Sequence, residues 1–319
     1  MATDSTGVIA TLGAWRDRTT DRLQARAQGR LARAARLALT AGIVAVLAVQ
    51  LTRVGWQAIL DALPTHPLFY LLLGGVYVLL PVTETLIYRP LWPLPPRALF
   101  WACARKRVLN EEVIGYSGEV SLYLWGAARG LDAGHAFRVV RDVNIVSSVV
   151  SFTVAGLLVG AMVGLGELDT AGWVAGRGLP ILAGLVLLVG LGVLVVRFRH
   201  YVFALPRRAA ARVAALHLAR HALTNAGLIG MWHLAQPSVG LPVWLTFAAV
   251  LVVIERLPFV PSKDLVFVGA GVGLSGGLAV AEAAIAGMLL VQSAGFKALH
   301  LLAYLLASSS LGREGEAAP

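Results

Sequence analysis

Glu112, Tyr116, Glu119 and Tyr123 carry the polar chemistry of a stretch, residues 110–142, that reads NEEVIGYSGEVSLYLWGAARGLDAGHAFRVVRD. On a helix they step by four, three and four and share one face with Gly126, opposite Val113, Val120, Leu124 and Ala127. A stripe of two carboxylates and two phenols needs water or cationic partners, yet it lies between segments apolar enough to cross a bilayer. A solvated interfacial helix would account for it. The rest of the chain favours a helix that dips inward and lines a polar cavity.

A charge at bilayer depth costs at least ~2.5–3.5 kcal/mol, so each one kept there calls for a reason. Glu119 and Glu282 are the carboxylates expected at depth, with Asp264 and Lys263 close behind. Arg141, Arg256, Lys263 and Lys297 are the cations that could pair with them or hold a lipid phosphate, and Asp142 and Glu255 sit beside two of these. The alternative for each is an ion pair that neutralises a helix end. Glu84, near Arg89, reads as such an end pair.

Motifs of catalysis are lacking. The chain has no Walker loop, no HExxH and no DxD-type acidic pair. The glycine run at 269–277, GAGVGLSGG, has no strand–turn–helix context for a nucleotide. His217 and His221 have the i, i+4 spacing of helical metal ligands, but no carboxylate or cysteine lies close in sequence to complete a site. Cys103 is the single cysteine. No metal, cofactor or enzymatic activity is therefore expected.

The elements that must position these residues follow from composition. Of 319 residues, 58% are hydrophobic and only 14% charged, which marks an integral membrane protein. The net charge of +10 lies where membrane topology puts it, flanking apolar runs, so no nucleic acid is implied. Residues 1–36 hold Arg16, Arg18, Arg22, Arg26, Arg30, Arg33 and Arg36, a basic amphipathic segment suited to anionic headgroups on the cytoplasmic leaflet. Residues 37–310 form one transmembrane domain and 311–319 a polar tail. Spans are expected at Leu37–Thr52, Pro67–Tyr88, Val143–Gly166 and Gly178–Val196. Prolines 90, 93, 95 and 96 exclude a regular helix through the start of the basic loop that follows Arg89. A longer helix with an Arg/His face is expected over Ala209–His233, and another over Val243–Ile254.

Beyond Asp264, uncharged runs of about 17, 14 and 15 residues, bounded by Glu282, Lys297 and Arg313, are short for spans. The first is also interrupted by Gly269, Gly271, Gly273, Gly276 and Gly277. Irregular backbone at depth is tolerated where it lines a cavity, so these read as broken or re-entrant helices. Each half of the chain has an apolar span, a polar-punctuated stretch and another apolar helix. The fold class expected is an all-α polytopic membrane protein of about six to eight membrane helices, two re-entrant pairs among them.

Two of these stretches carry a family resemblance. YSGEVSLYLWGAARGLDAGHAFRVV, with Gly118–Glu119, and GGLAVAEAAIAGMLLVQSAGFKAL, with Gly276, Gly277, Leu278, Val280, Glu282 and Ala283, are similar to segments of the flippase-like membrane domain of lysylphosphatidylglycerol synthetases. Ser275 stands where that family usually has Pro and Ala279 where it has Gly, and LPFVP at 257–261 is a further family-like feature. The resemblance implies a bacterial inner-membrane protein that moves a lipid or lipid-linked molecule between leaflets, and the basic segment 1–36 places its N-terminus in the cytoplasm. Its partners would be that lipid and anionic headgroups, and an oligomer is compatible. The family's aminoacyl-transferring activity resides in a soluble domain for which this chain has no counterpart. Other readings are a lipid-modifying enzyme with Glu119 or His135 as base, and a scaffold for envelope synthesis.

Overall fold

The computed structural model describes residues 41, 45, 48–49, 51–53, 55–113, 115–164, 204–256, 260, 262–276 and 280–316. The basic segment 1–36, most of the run 37–52, the expected span 178–196, most of LPFVP and Gly277 lie outside them, as do the side chain of Arg256 and those of the C-terminal tail from residue 312. Met1–Val49 forms one compact unit and Gln50–Pro319 another.

Among the described residues the secondary structure is helical, without strands. In order the helices of the second unit are α1 (Trp56–Asp61), α2 (Pro67–Tyr88), α3 (Pro96–Glu112), α4 (Ser117–Ala128), α5 (Ala133–Gly164), α6 (Arg207–Ala235), α7 (Leu241–Arg256), α8 (Lys263–Ser275) and α9 (Glu282–Glu316). Three stretches among the described residues are long and apolar enough to cross a membrane: Pro67–Tyr88, Ala133–Leu158 and Glu282–Leu311. Their outer faces suit lipid, with Leu71 and Leu301 more than half exposed. Glu84, Lys106 and Asp142 turn inward and are buried.

Helix α2 opens as its sequence demands. Pro67 occupies the first turn, where its missing N–H costs nothing, and the His66 ring accepts from Leu68 N–H. Pro81, inside the helix, removes the donor that would serve the Tyr77 carbonyl. Arg107 Nη1 of α3 donates to that carbonyl instead, and its guanidinium lies 4.3 Å from the Tyr77 ring centroid.

The structure corrects the single helical stripe. Helix α3 ends at Glu112, and the chain turns through Tyr116, which has a positive φ of 70°, before α4 begins at Ser117. The reversal is held by local bonds: Ser117 Oγ donates to Leu109 O at 2.8 Å and Gly118 N to Asn110 Oδ1 at 2.7 Å. A Cβ on Gly118 would lie 2.1 Å from the Lys106 carbonyl oxygen. Only glycine lets the two helices approach so closely. Glu112 and Glu119 thus belong to different arms of a hairpin, with different partners.

Three boundaries also differ from expectation. Helix α5 starts at Ala133, ten residues before the expected span, because Asp132 caps it by accepting from His135 N–H. Arg141 and Asp142 are tolerated there because they pair, at 2.7 Å. Helix α8 runs through Gly269, Gly271 and Gly273 rather than breaking. A Cβ on Gly271 would meet Leu289 Cδ1 at 2.5 Å and Phe247 Cε1 at 3.0 Å, so that glycine admits close helix packing. Helix α9 continues through Lys297, joining two runs read as separate segments, because acidic partners neutralise the lysine.

The aromatic core of the C-terminal half gathers Trp232, Trp244, Phe247 and Phe267, with ring centroids 5.7–6.3 Å apart. Trp232 Nε1 donates to Gln292 Oε1 at 2.7 Å, fixing α6 to α9.

Candidate functional site: a charged cavity between α2 and α6

Helices α2 to α6 line an open polar cavity of about 190 Å³. Leu80 and Glu84 come from α2; Lys106, Arg107, Asn110 and Glu111 from α3; Glu119 from α4; Val143, Asn144 and Ser147 from α5; Arg220 from α6. At its centre Lys106, 6% exposed, donates to Glu84 Oε1, and Glu84 is 4% exposed. Glu119 Oε1 lies 3.4 Å from the same Nζ. One ammonium therefore serves two carboxylates. Burial alone would favour the neutral amine, but Glu84 and Glu119 outweigh it and hold the Lys106 pKa well above the usual lysine value.

Each carboxylate has one oxygen left over. Glu84 Oε2 and Glu119 Oε2 are buried and have no hydrogen-bond partner within the protein. A buried acceptor without a donor costs about 1–3 kcal/mol, so each of these oxygens calls for a donor from outside the protein. Arg107 is committed to Glu111 at 2.9 Å and to the Tyr77 carbonyl. Arg220 Nη2 lies 3.0 Å from His221 Nε2, which also meets Ser151 Oγ at 2.7 Å.

A second ionic cluster joins the hairpin tip to the C-terminal helices. Glu112 Oε1 accepts from Lys297 Nζ and His300 Nδ1, both at 2.8 Å. Lys297 also lies 3.5 Å from Asp264 Oδ1, and Asp264 Oδ2 accepts from Ser293 Oγ at 2.6 Å. His300 Nε2 is 3.0 Å from Glu111 Oε2, so this ring links the cluster to a residue of the cavity wall.

The predicted site residues therefore divide. Glu119 lines the cavity, while Glu112, Asp264 and Lys297 meet in the second cluster. Gly118 forms the hairpin contact, Tyr116 is exposed at its turn, and Tyr123 packs edge-on against Phe137. Asp142, fully buried, accepts from Ala204 N–H at 2.6 Å and Leu205 N–H at 2.9 Å, so with Arg141 it anchors the chain leading into α6. Lys263 donates to the Glu255 carbonyl at 2.7 Å at the α7–α8 junction. Glu282 is exposed in the first turn of α9 beside Gly276, away from the residues that line the cavity. His135 is exposed at the start of α5 and is likewise absent from the cavity wall. His217 is buried near Arg220 and Lys106, and both its ring nitrogens lack a partner. Burial, then these cations, lowers its pKa to about 3.

Sequence reasoning missed Glu84, Lys106 and Arg220 as site residues. Glu84 pairs with Lys106 across α2 and α3 and not with Arg89. A carboxylate inside a 22-residue apolar helix was the available signal, because such a group faces a bundle interior by default.

No family model, curated protein or solved structure matches the chain.

Proposed function

We propose that this protein is a membrane lipid translocase whose charged cavity takes the headgroup while the acyl chains stay in lipid. The observation that carries the reading is the buried Glu84–Lys106–Glu119 trio, set in a cavity walled partly by two helices capable of crossing a membrane. Burying three charges there is costly, and a dry structural bundle would gain more from apolar residues of similar volume. A site that must desolvate a polar headgroup has a use for them. The cavity is below the ~300–1,000 Å³ of pockets for drug-sized ligands, so it suits a headgroup and not a whole lipid.

The resemblance of the 116–140 and 276–299 segments to flippase-like membrane domains supports the same reading, as does the Arg-rich 1–36 segment, which suits a cytoplasmic leaflet. On this reading the protein resides in a bacterial inner membrane with its N-terminus inside. The mechanism needs no nucleotide: balanced charges in the wall replace water around the headgroup, which lowers the barrier to crossing. Vesicles carrying the purified protein, without ATP, should exchange labelled lipid between leaflets faster than protein-free vesicles. Rates equal to the protein-free rate across a panel of headgroups would reject the reading.

A further inference from the structure

We propose that the cavity selects a net-neutral zwitterion, a phosphodiester linked to a primary amine, as in a phosphatidylethanolamine headgroup or free glycerophosphoethanolamine. The inference rests on the translocase reading, whose site it shares. The cavity wall holds three carboxylates, Glu84, Glu111 and Glu119, and three cations, Lys106, Arg107 and Arg220. The formal charges cancel. An occupant with net charge would leave one sign uncompensated beside the buried Glu84–Lys106–Glu119 trio, whereas a zwitterion would not.

The kind of amine follows from the unused acceptors. Glu84 Oε2 and Glu119 Oε2 are buried and without donors, while their Oε1 atoms already share Lys106. A primary ammonium brings three N–H donors to such a pair; a trimethylammonium brings none. The phosphate end has its own donors on the α5 and α6 side of the wall, from the Arg220 guanidinium, the Asn144 amide and the Ser147 hydroxyl. An arginine fork carries five N–H donors and suits phosphate oxygens, and Arg220 directs Nη2 toward His221 as well.

The test has a soluble arm and a lipid arm. Purified protein in detergent is titrated calorimetrically with glycerophosphoethanolamine, glycerophosphocholine, glycerol phosphate and ethanolamine. Vesicles containing the protein are assayed for leaflet exchange of labelled phosphatidylethanolamine and phosphatidylcholine. The expected result is that glycerophosphoethanolamine binds about tenfold or more tightly than each comparator, the penalty for leaving buried acceptors or cations unpaired. Glu119→Gln should reduce its preference over glycerophosphocholine, and Glu282→Gln, outside the cavity, should leave it intact. If Glu119→Gln does not fold, the wild-type comparator series decides alone. A preference in both arms identifies a lipid headgroup, and one in the soluble arm alone identifies a free solute while the translocase reading fails. Lipid exchange with equal rates for the two headgroups, and equal binding of glycerophosphoethanolamine and glycerophosphocholine, would overturn the zwitterion site and leave the translocase standing.

Discussion

Arg107 of α3 donates to the carbonyl of Tyr77, the acceptor that Pro81 deprives of its helical partner one turn later in α2. The same guanidinium stacks on the Tyr77 ring and bonds Glu111. A helix-breaking residue in a membrane-capable segment is thereby compensated from a neighbouring helix, next to the cavity. Arg107→Ala should destabilise the protein by about 2–3 kcal/mol, through an orphaned carbonyl and a lost cation–π contact. Pro81→Ala restores the missing N–H, so the same arginine change should cost measurably less in that background. A double-mutant cycle of detergent-solubilised unfolding checks this, and additive costs would refute the compensation.

Lys106 holds two carboxylates together. Lys106→Met should cost about 3–5 kcal/mol, because it leaves buried charge without a partner. Adding Glu84→Gln to Lys106→Met should recover part of that loss by removing the carboxylate with the most buried side chain. Unfolding midpoints of the single and double variants read the difference directly.

Gly118 sets the α3–α4 approach. In Gly118→Ala the new Cβ would collide with backbone, the Lys106 carbonyl oxygen, and with Asn110 Oδ1 at 2.7 Å. A loss at the upper end of the ~1–3 kcal/mol range for overpacking is expected, with the hairpin opened. At Gly126 the nearest obstacle is the Leu131 Cδ1 side-chain tip at 3.1 Å, so Gly126→Ala should be milder. Thermal unfolding of the two variants should rank them in that order.

Acid should loosen the hairpin tip. The hydrogen bond from His300, with the ammonium of Lys297, holds the Glu112 carboxyl below its usual range, although partial burial opposes the shift. A group whose folded value is depressed stabilises the protein fully above its unfolded value, near ~4.3, and that stability is lost as pH falls through the folded value. The unfolding midpoint should therefore drop as pH falls from about 5 toward about 3. Glu112→Gln should flatten that limb. An unchanged limb would show that Glu112 is not its source.

How much of this was legible in the chain depended on the range of the interaction. The Pro67–Tyr88 helix follows from an apolar run opened by proline, both local signals. Glu119 was identifiable as an acid expected at depth. Its partner was not, because Lys106 sits in an Arg- and Lys-rich stretch that resembles an ordinary basic loop. Only the packing of α2 on α3 brings Lys106 to Glu84, 22 residues away. The hairpin turn was hidden because the left-handed position is a tyrosine, not the neighbouring Gly115. In the same way Lys297 looked like the end of a segment until Glu112, 185 residues away, proved to be its partner. Local composition reports helices well, but charge pairs between helices need the fold.

The decisive comparison is leaflet exchange of labelled lipid in ATP-free vesicles carrying wild type, Glu84→Gln, Glu119→Gln or the control Glu282→Gln. Wild type and the control should exchange lipid above the protein-free rate. Each cavity variant that folds should be slower by at least about tenfold, equivalent to ~1.4 kcal/mol of lost barrier lowering. Exchange by Glu84→Gln and Glu119→Gln at the wild-type rate would contradict a headgroup path through this cavity, because the headgroup would then be crossing elsewhere.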